Sequence, residues 1–164
     1  MPNDFFGLPL HPLIVHATVV IIPLAAFTVV LSAFWARFRA WAGPVPMGLS
    51  LVGLILVPLS TSTGETLERH VAASALLEEH TRLADGLLPW MIGLFVFSAI
   101  GYLLHLLTRG HNARSVKRPL VMVVAALAVL AAVGTSVQVA RIGHSGAKAA
   151  WDDTNMSTSS PKPQ

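Results

Sequence analysis

Residues 11–36 read HPLIVHATVVIIPLAAFTVVLSAFWA. The stretch holds no Asp, Glu, Lys or Arg after His11. It is longer than the ~20 apolar residues that cross a ~30 Å hydrocarbon core. Three further charge-free blocks follow, at 43–64, 86–108 and 119–140. Only 12% of the 164 residues are charged and 54% are hydrophobic, against about 25% charged in soluble domains. Four such runs in so short a chain exclude a soluble globular domain. The expected fold is all-α: an integral membrane four-helix bundle, with an amphipathic helical segment between spans 2 and 3. A soluble enzyme or a nucleic-acid binder has no support.

Chain order supplies the boundaries. Span 1 runs from Pro12 to Ala36 and ends in Trp35, Arg37, Arg39 and Trp41, aromatic and basic anchors of the membrane interface. Pro12 suits the first helical turn, and Pro23 predicts a kink. Gly43-Pro44-Val45-Pro46 is a turn. Span 2, Met47 to Thr63, closes on Ser60-Thr61-Ser62-Thr63-Gly64, whose hydroxyls bond carbonyls one turn back or cap a following helix. Ser62 and Glu65 have capping-box spacing. In residues 65–85, Leu76, His80, Leu83 and Leu87 recur at helical intervals, so an amphipathic helix on the membrane surface is expected, with His80 turned inward. Glu65, Glu68 and Arg69 read as surface charges at three and four spacing. Span 3 runs from Gly86 to about Leu107, with Gly93 and Gly101 as a stripe for close helix contact. Span 4 runs from Pro119 to about Ala140. The membrane domain is 1–151, and the polar tail 152–164 is expected to be disordered.

Four spans put both termini and the 65–85 segment on one side. The two loops on the other side carry Arg37, Arg39, Arg109, Arg114, Lys117 and Arg118 and no acid. All eight carboxylates lie opposite. Lys and Arg near span ends favour the cytoplasm, so the expected location is a bacterial cytoplasmic membrane with both termini outside. The N-terminus has no basic segment of the kind that opens a cleavable signal peptide.

The absence of cysteine removes disulfides, thiolate metal sites and covalent haem attachment. Histidine remains as a ligand for a haem iron or a transition metal. His11, His16, His70, His80 and His144 fall on the outer side; His105 and His111 fall inside. His16 lies about one turn into span 1, where an ionisable ring needs a partner, for which Ser60, Thr61 and Gln138 are candidates. His11 and His16 are about 140° apart around a helix and roughly 7.5 Å apart along it, too far to share a metal on a regular helix. The candidate cofactor site is therefore His16 and His80, with His144 and His11 as further members. The candidate cofactors are a b-type haem or a transition metal, since imidazole suits iron, copper and zinc. A redox protein or a quinone is the candidate partner besides the lipid bilayer. The competing reading is an accessory or structural subunit whose histidines are merely interfacial.

The HPxxVH start, Thr63-Gly64, His80 before span 3 and the Gly-x-Ser-Gly-Ala run at 143–147 resemble a bacterial four-span family known as domain of unknown function 2231. The resemblance covers about residues 8–151. His11, His16, Gly64 and His80 match family positions. The family resembles small cytochrome b-like bundles in outline, and some members are joined to Rieske-type domains. It implies a redox or haem role by association alone, with no catalytic assignment.

Overall fold

The computed structural model describes residues 4–5, 8–68, 74–109 and 116–151. The side chain of His11, His70, His111 and the 152–164 tail lie outside the described residues. Among the described residues a minimal antiparallel pair, β1 (Asp4–Phe5) and β2 (Leu8–Pro9), precedes six helices. These are α1 (Leu10–Phe34), α2 (Ala36–Ala42), α3 (Val45–Glu68), α4 (Ala75–Asp85), α5 (Leu87–Leu107) and α6 (Arg118–Trp151). Among the described residues, four stretches of helix are long and apolar enough to cross a membrane, one in each expected span.

The spans form a ring in chain order. α1 packs against α3 and α6, α5 packs against the same two, and α1 and α5 face each other diagonally with little direct contact. The core is thin and made of small or aliphatic side chains. Ile22, Ala25, Ala26 and Val29 of α1 meet Met91 and Leu94 of α5, and Ala128, Ala131 and Ala132 of α6. Small residues let helix backbones approach closely where no hydrophobic effect drives association. Gly53 admits Met91 and Ile22, and Gly134 lies under the Trp90 indole. Gly93 meets Ala131 as the stripe predicts, whereas a side chain at Gly101 would touch nothing and opens space instead. Large apolar groups such as Val20, Phe27, Ile55, Leu103 and Met122 point outward, the arrangement expected when the surrounding solvent is lipid. Some buried hydroxyls satisfy themselves locally: Thr18 and Ser50 donate to the carbonyls of Ile14 and Pro46 at 2.7 Å.

Several boundaries differ from the sequence reading. Trp35 adopts extended backbone and ends α1. α2 then carries a row of rings, with Trp35 stacked on Phe38 and Phe38 tilted against Trp41, beside Arg37 and Arg39. Gly43, at φ +55°, makes the turn into α3. Pro23 and Pro58 both lie inside uninterrupted helices. α3 does not stop at Thr63. Thr61 and Ser62 donate to the carbonyls of Pro58 and Leu59, so these hydroxyls are spent within α3 and Ser62 caps nothing. Ser74 caps α4 instead, accepting from the Leu77 amide at 3.2 Å. α6 is 34 residues long, about 51 Å, and so overshoots the hydrocarbon core rather than ending at Ala140.

The overshoot of α6 holds α4. Ala131 lies against Gly93, Gly134 against Trp90, Gln138 against Gly86, and Gly146 against His80. The two residue numbers in each pair sum to nearly the same value, so α4 continues antiparallel along α6 where α5 leaves off. It does not lie across the bundle as a surface helix would. Gln138 secures it, donating from Nε2 to the Leu83 carbonyl at 2.6 Å, beside the αR-region glycine, Gly86, that separates α4 from α5.

Candidate functional site

The start of α1, the end of α3, α4 and the last turns of α6 enclose a cavity of about 580 Å³ at the end of the bundle that carries both termini. Val15, Val19, Val57, Leu87, Val139 and Ile142 form apolar walls, and Ser60, Thr61 and Thr81 add hydroxyls. The charged lining is acidic: Glu65 and Glu68 from α3 and Asp85 from α4. Among the described residues, no Lys or Arg lines it. Glu65 is exposed and Glu68 half-buried, so both are surface charges that also border the cavity. They reach the cavity because α3 continues past the apolar run with Glu65 and Glu68 on its cavity side.

His80 stands between the cavity and α6. Its Nδ1 lies 3.1 Å from Ser145 Oγ. The Ser145 hydroxyl proton is already given to the Ile142 carbonyl at 2.9 Å. Ser145 Oγ therefore accepts, and His80 Nδ1–H donates. In neutral imidazole this leaves Nε2 as the lone-pair nitrogen. Gly146 makes the approach possible: a Cβ there would come within 2.9 Å of His80 Cε1. Gly64 also lines the cavity.

The other predicted site histidines go elsewhere. His16 is exposed, and its Nδ1 donates to the Pro12 carbonyl of its own helix at 2.6 Å. Ser60, Thr61 and Gln138 are not its partners. Val15, Thr18 and Val19 face the cavity, and His16 is turned away from that face. His144 is exposed, while its neighbours Gly143 and Gly146 line the cavity. Glu79 is also exposed and outside the lining. His105 is at the opposite end of the bundle. The structure thus brings His80 into the cavity and leaves His16 and His144 outside it.

This donor set does not fit a haem held by two histidines. Among the described residues one imidazole, that of His80, lines the cavity, and the acidic lining repels propionates of the same sign. It does not fit a chelated metal either. Although one histidine and three carboxylates share the cavity, they are spread around it, and among the described residues no three His, Cys, Asp or Glu come together in a way that could hold a metal ion.

Fold and site together define a four-span helical membrane protein with an acidic, histidine-bearing pocket at one end of its bundle. The chain belongs to the family described as Predicted membrane protein (DUF2231), whose model matches residues 7–158. No curated protein and no solved structure matches it.

Proposed function

We propose that the protein is a membrane-embedded binding protein of the bacterial cytoplasmic membrane, with its acidic cavity opening on the extracytoplasmic side. The ligand class is an amphiphile with an apolar body and a cationic or hydrogen-bond-donating head. One observation carries this reading: Glu65, Glu68, Asp85 and His80 line a single cavity with aliphatic walls and, among the described residues, no Lys or Arg. The carboxylates attract a cationic head. His80 Nε2 accepts a hydrogen bond from it, and the aliphatic walls take the chain. The orientation rests on the basic loops at the opposite end. Electron transfer through a bis-histidine haem, with a redox protein or quinone as partner, is not part of the proposal, because the described lining residues supply no second axial imidazole.

The test is calorimetric titration of the full chain in nanodiscs with a long-chain alkylammonium ion and with the carboxylate of the same chain length. The ammonium should bind at least tenfold tighter. A triple variant, Glu65→Gln, Glu68→Gln and Asp85→Asn, should erase that preference. Partly exposed ion pairs contribute about 0.2–1 kcal/mol each, and three of them together account for roughly tenfold in affinity. Absence of binding, or equal binding of both amphiphiles, would favour an accessory subunit without a ligand.

A further inference from the structure

A second cavity, of about 120 Å³, lies at the opposite end of the bundle, between the end of α1, α2, the start of α3, the end of α5 and the start of α6. The acidic cavity has no part in it, and its chemistry is of opposite sign. Arg39 lines it from α2. Its Nη1 donates to the Ser32 carbonyl at 2.6 Å, which fixes the guanidinium at the wall. No carboxylate occurs in the sequence between residues 5 and 64 or between 86 and 151, so the helix ends that form this cavity carry no counter-charge for it; the Glu65 and Glu68 carboxylates of α3 lie at the far end of that helix.

Two further polar atoms on the wall are buried without a hydrogen-bond partner among the described residues: Ser32 Oγ and His105 Nε2. Buried polar atoms are ordinarily paired. Helical serines ordinarily bond a carbonyl one turn back, as Ser50 and Ser98 do here. Ser32 does not, and its hydroxyl is left for another acceptor. Arg39 and Arg109 are both close enough for their charges to act on the His105 ring. A guanidinium and a hydroxyl are donors, and so is His105 Nε2 when it carries the ring proton; together they match the acceptor oxygens of a phosphate. The volume holds several waters or one tetrahedral oxyanion. The aromatic row Trp35, Phe38 and Trp41 on the adjoining α2 sets this level at the headgroup layer, where such rings concentrate.

We propose that this cavity binds a phosphate-type oxyanion, carried by an anionic phospholipid headgroup or free in solution, through Arg39, Ser32 Oγ and His105 Nε2. The full chain is reconstituted, in phosphate-free buffer, in nanodiscs of phosphatidylcholine alone or of phosphatidylcholine with phosphatidylglycerol. Thermal unfolding midpoints are read in both, and inorganic phosphate is titrated into the former. A higher midpoint with phosphatidylglycerol supports a lipid headgroup. Saturable stabilisation by phosphate in phosphatidylcholine discs supports a free oxyanion. In either case Arg39→Gln should abolish the shift or weaken binding at least tenfold, and Ser32→Ala, a mild change inside a helix, should weaken it several-fold. Arg37→Gln, exposed and outside the cavity, should behave as wild type. The proposal is overturned if neither probe stabilises the protein, if Ser32→Ala and Arg39→Gln both respond as wild type, or if Arg37→Gln loses as much as Arg39→Gln.

Discussion

Replacing Gly146 with alanine should dislodge His80, and the size of the effect follows from the packing. The new methyl would lie 2.9 Å from His80 Cε1 and 3.2 Å from Nδ1. Carbon atoms prefer about 3.6 Å, so the ring must retreat by about 0.7 Å. Ser145 sits on the same helix, and its 3.1 Å bond to His80 Nδ1 would stretch past hydrogen-bond range. Overpacking costs about 1–3 kcal/mol and the lost bond about 0.5–1.5 kcal/mol. Alanine in a helix returns roughly 1 kcal/mol over glycine. Gly143, one turn earlier on α6, isolates that last term, because a Cβ there meets nothing within 4 Å. The expected outcome is that Gly143→Ala stabilises slightly and Gly146→Ala destabilises, with a difference of about 2–4 kcal/mol. Reversible unfolding in mixed micelles measures the difference. Nitrogen-15 NMR of labelled histidine reads the ring itself, which should be the Nδ1–H tautomer in wild type and lose that preference in Gly146→Ala. Equal stability of the two alanine variants, with the His80 tautomer unchanged, would refute the packing of His80 on α6.

The remaining predictions concern packing, topology and the division of labour among the histidines. Gly134→Ala places a methyl inside the Trp90 indole, so it should destabilise by about 1–3 kcal/mol, whereas Gly48→Ala, with open space at its Cβ, should not; thermal unfolding of both variants decides. Single cysteines at Lys117 and Glu78 in this cysteine-free chain should label differently in intact cells, an impermeant maleimide reaching only the latter. His16→Ala removes an exposed ring bonded within its own helix and should change stability by less than about 0.5 kcal/mol with ligand affinity intact. His80→Ala should weaken amphiphile binding several-fold in the same titration.

The spans were legible because each is a block without charge, and a bilayer tolerates little else. The inward turn of His80 was legible from its place among Leu76, Leu83 and Leu87. Helix ends were not, since lipid-phase length and helix length part company once a helix leaves the hydrocarbon: α3 and α6 continue as polar helices through Glu68 and Trp151. The fate of His16 was hidden too. A histidine near a helix start can serve the carbonyl four residues back, here Pro12, and nothing in hydropathy distinguishes that from a cross-helix bond. Glu65 and Glu68 look like surface charges at any spacing-based reading. Their role depends on α4 and α6 rising beside them, a tertiary fact set by Gln138 capturing Leu83 and by Gly146 admitting His80. The one-dimensional hint was the glycines that line the cavity, Gly64, Gly143 and Gly146.

Ligand protection of a cysteine inside the acidic cavity tests the central claim most directly. Thr61 lines that cavity, and Thr61→Cys would be the sole thiol in the chain. In intact cells a membrane-impermeant maleimide should reach it from outside. A long-chain alkylammonium ion should slow the reaction at least tenfold, and the matching carboxylate should leave the rate unchanged. A thiol that is unreachable from outside, or one that both amphiphiles protect equally, would contradict an outward-facing acidic binding site.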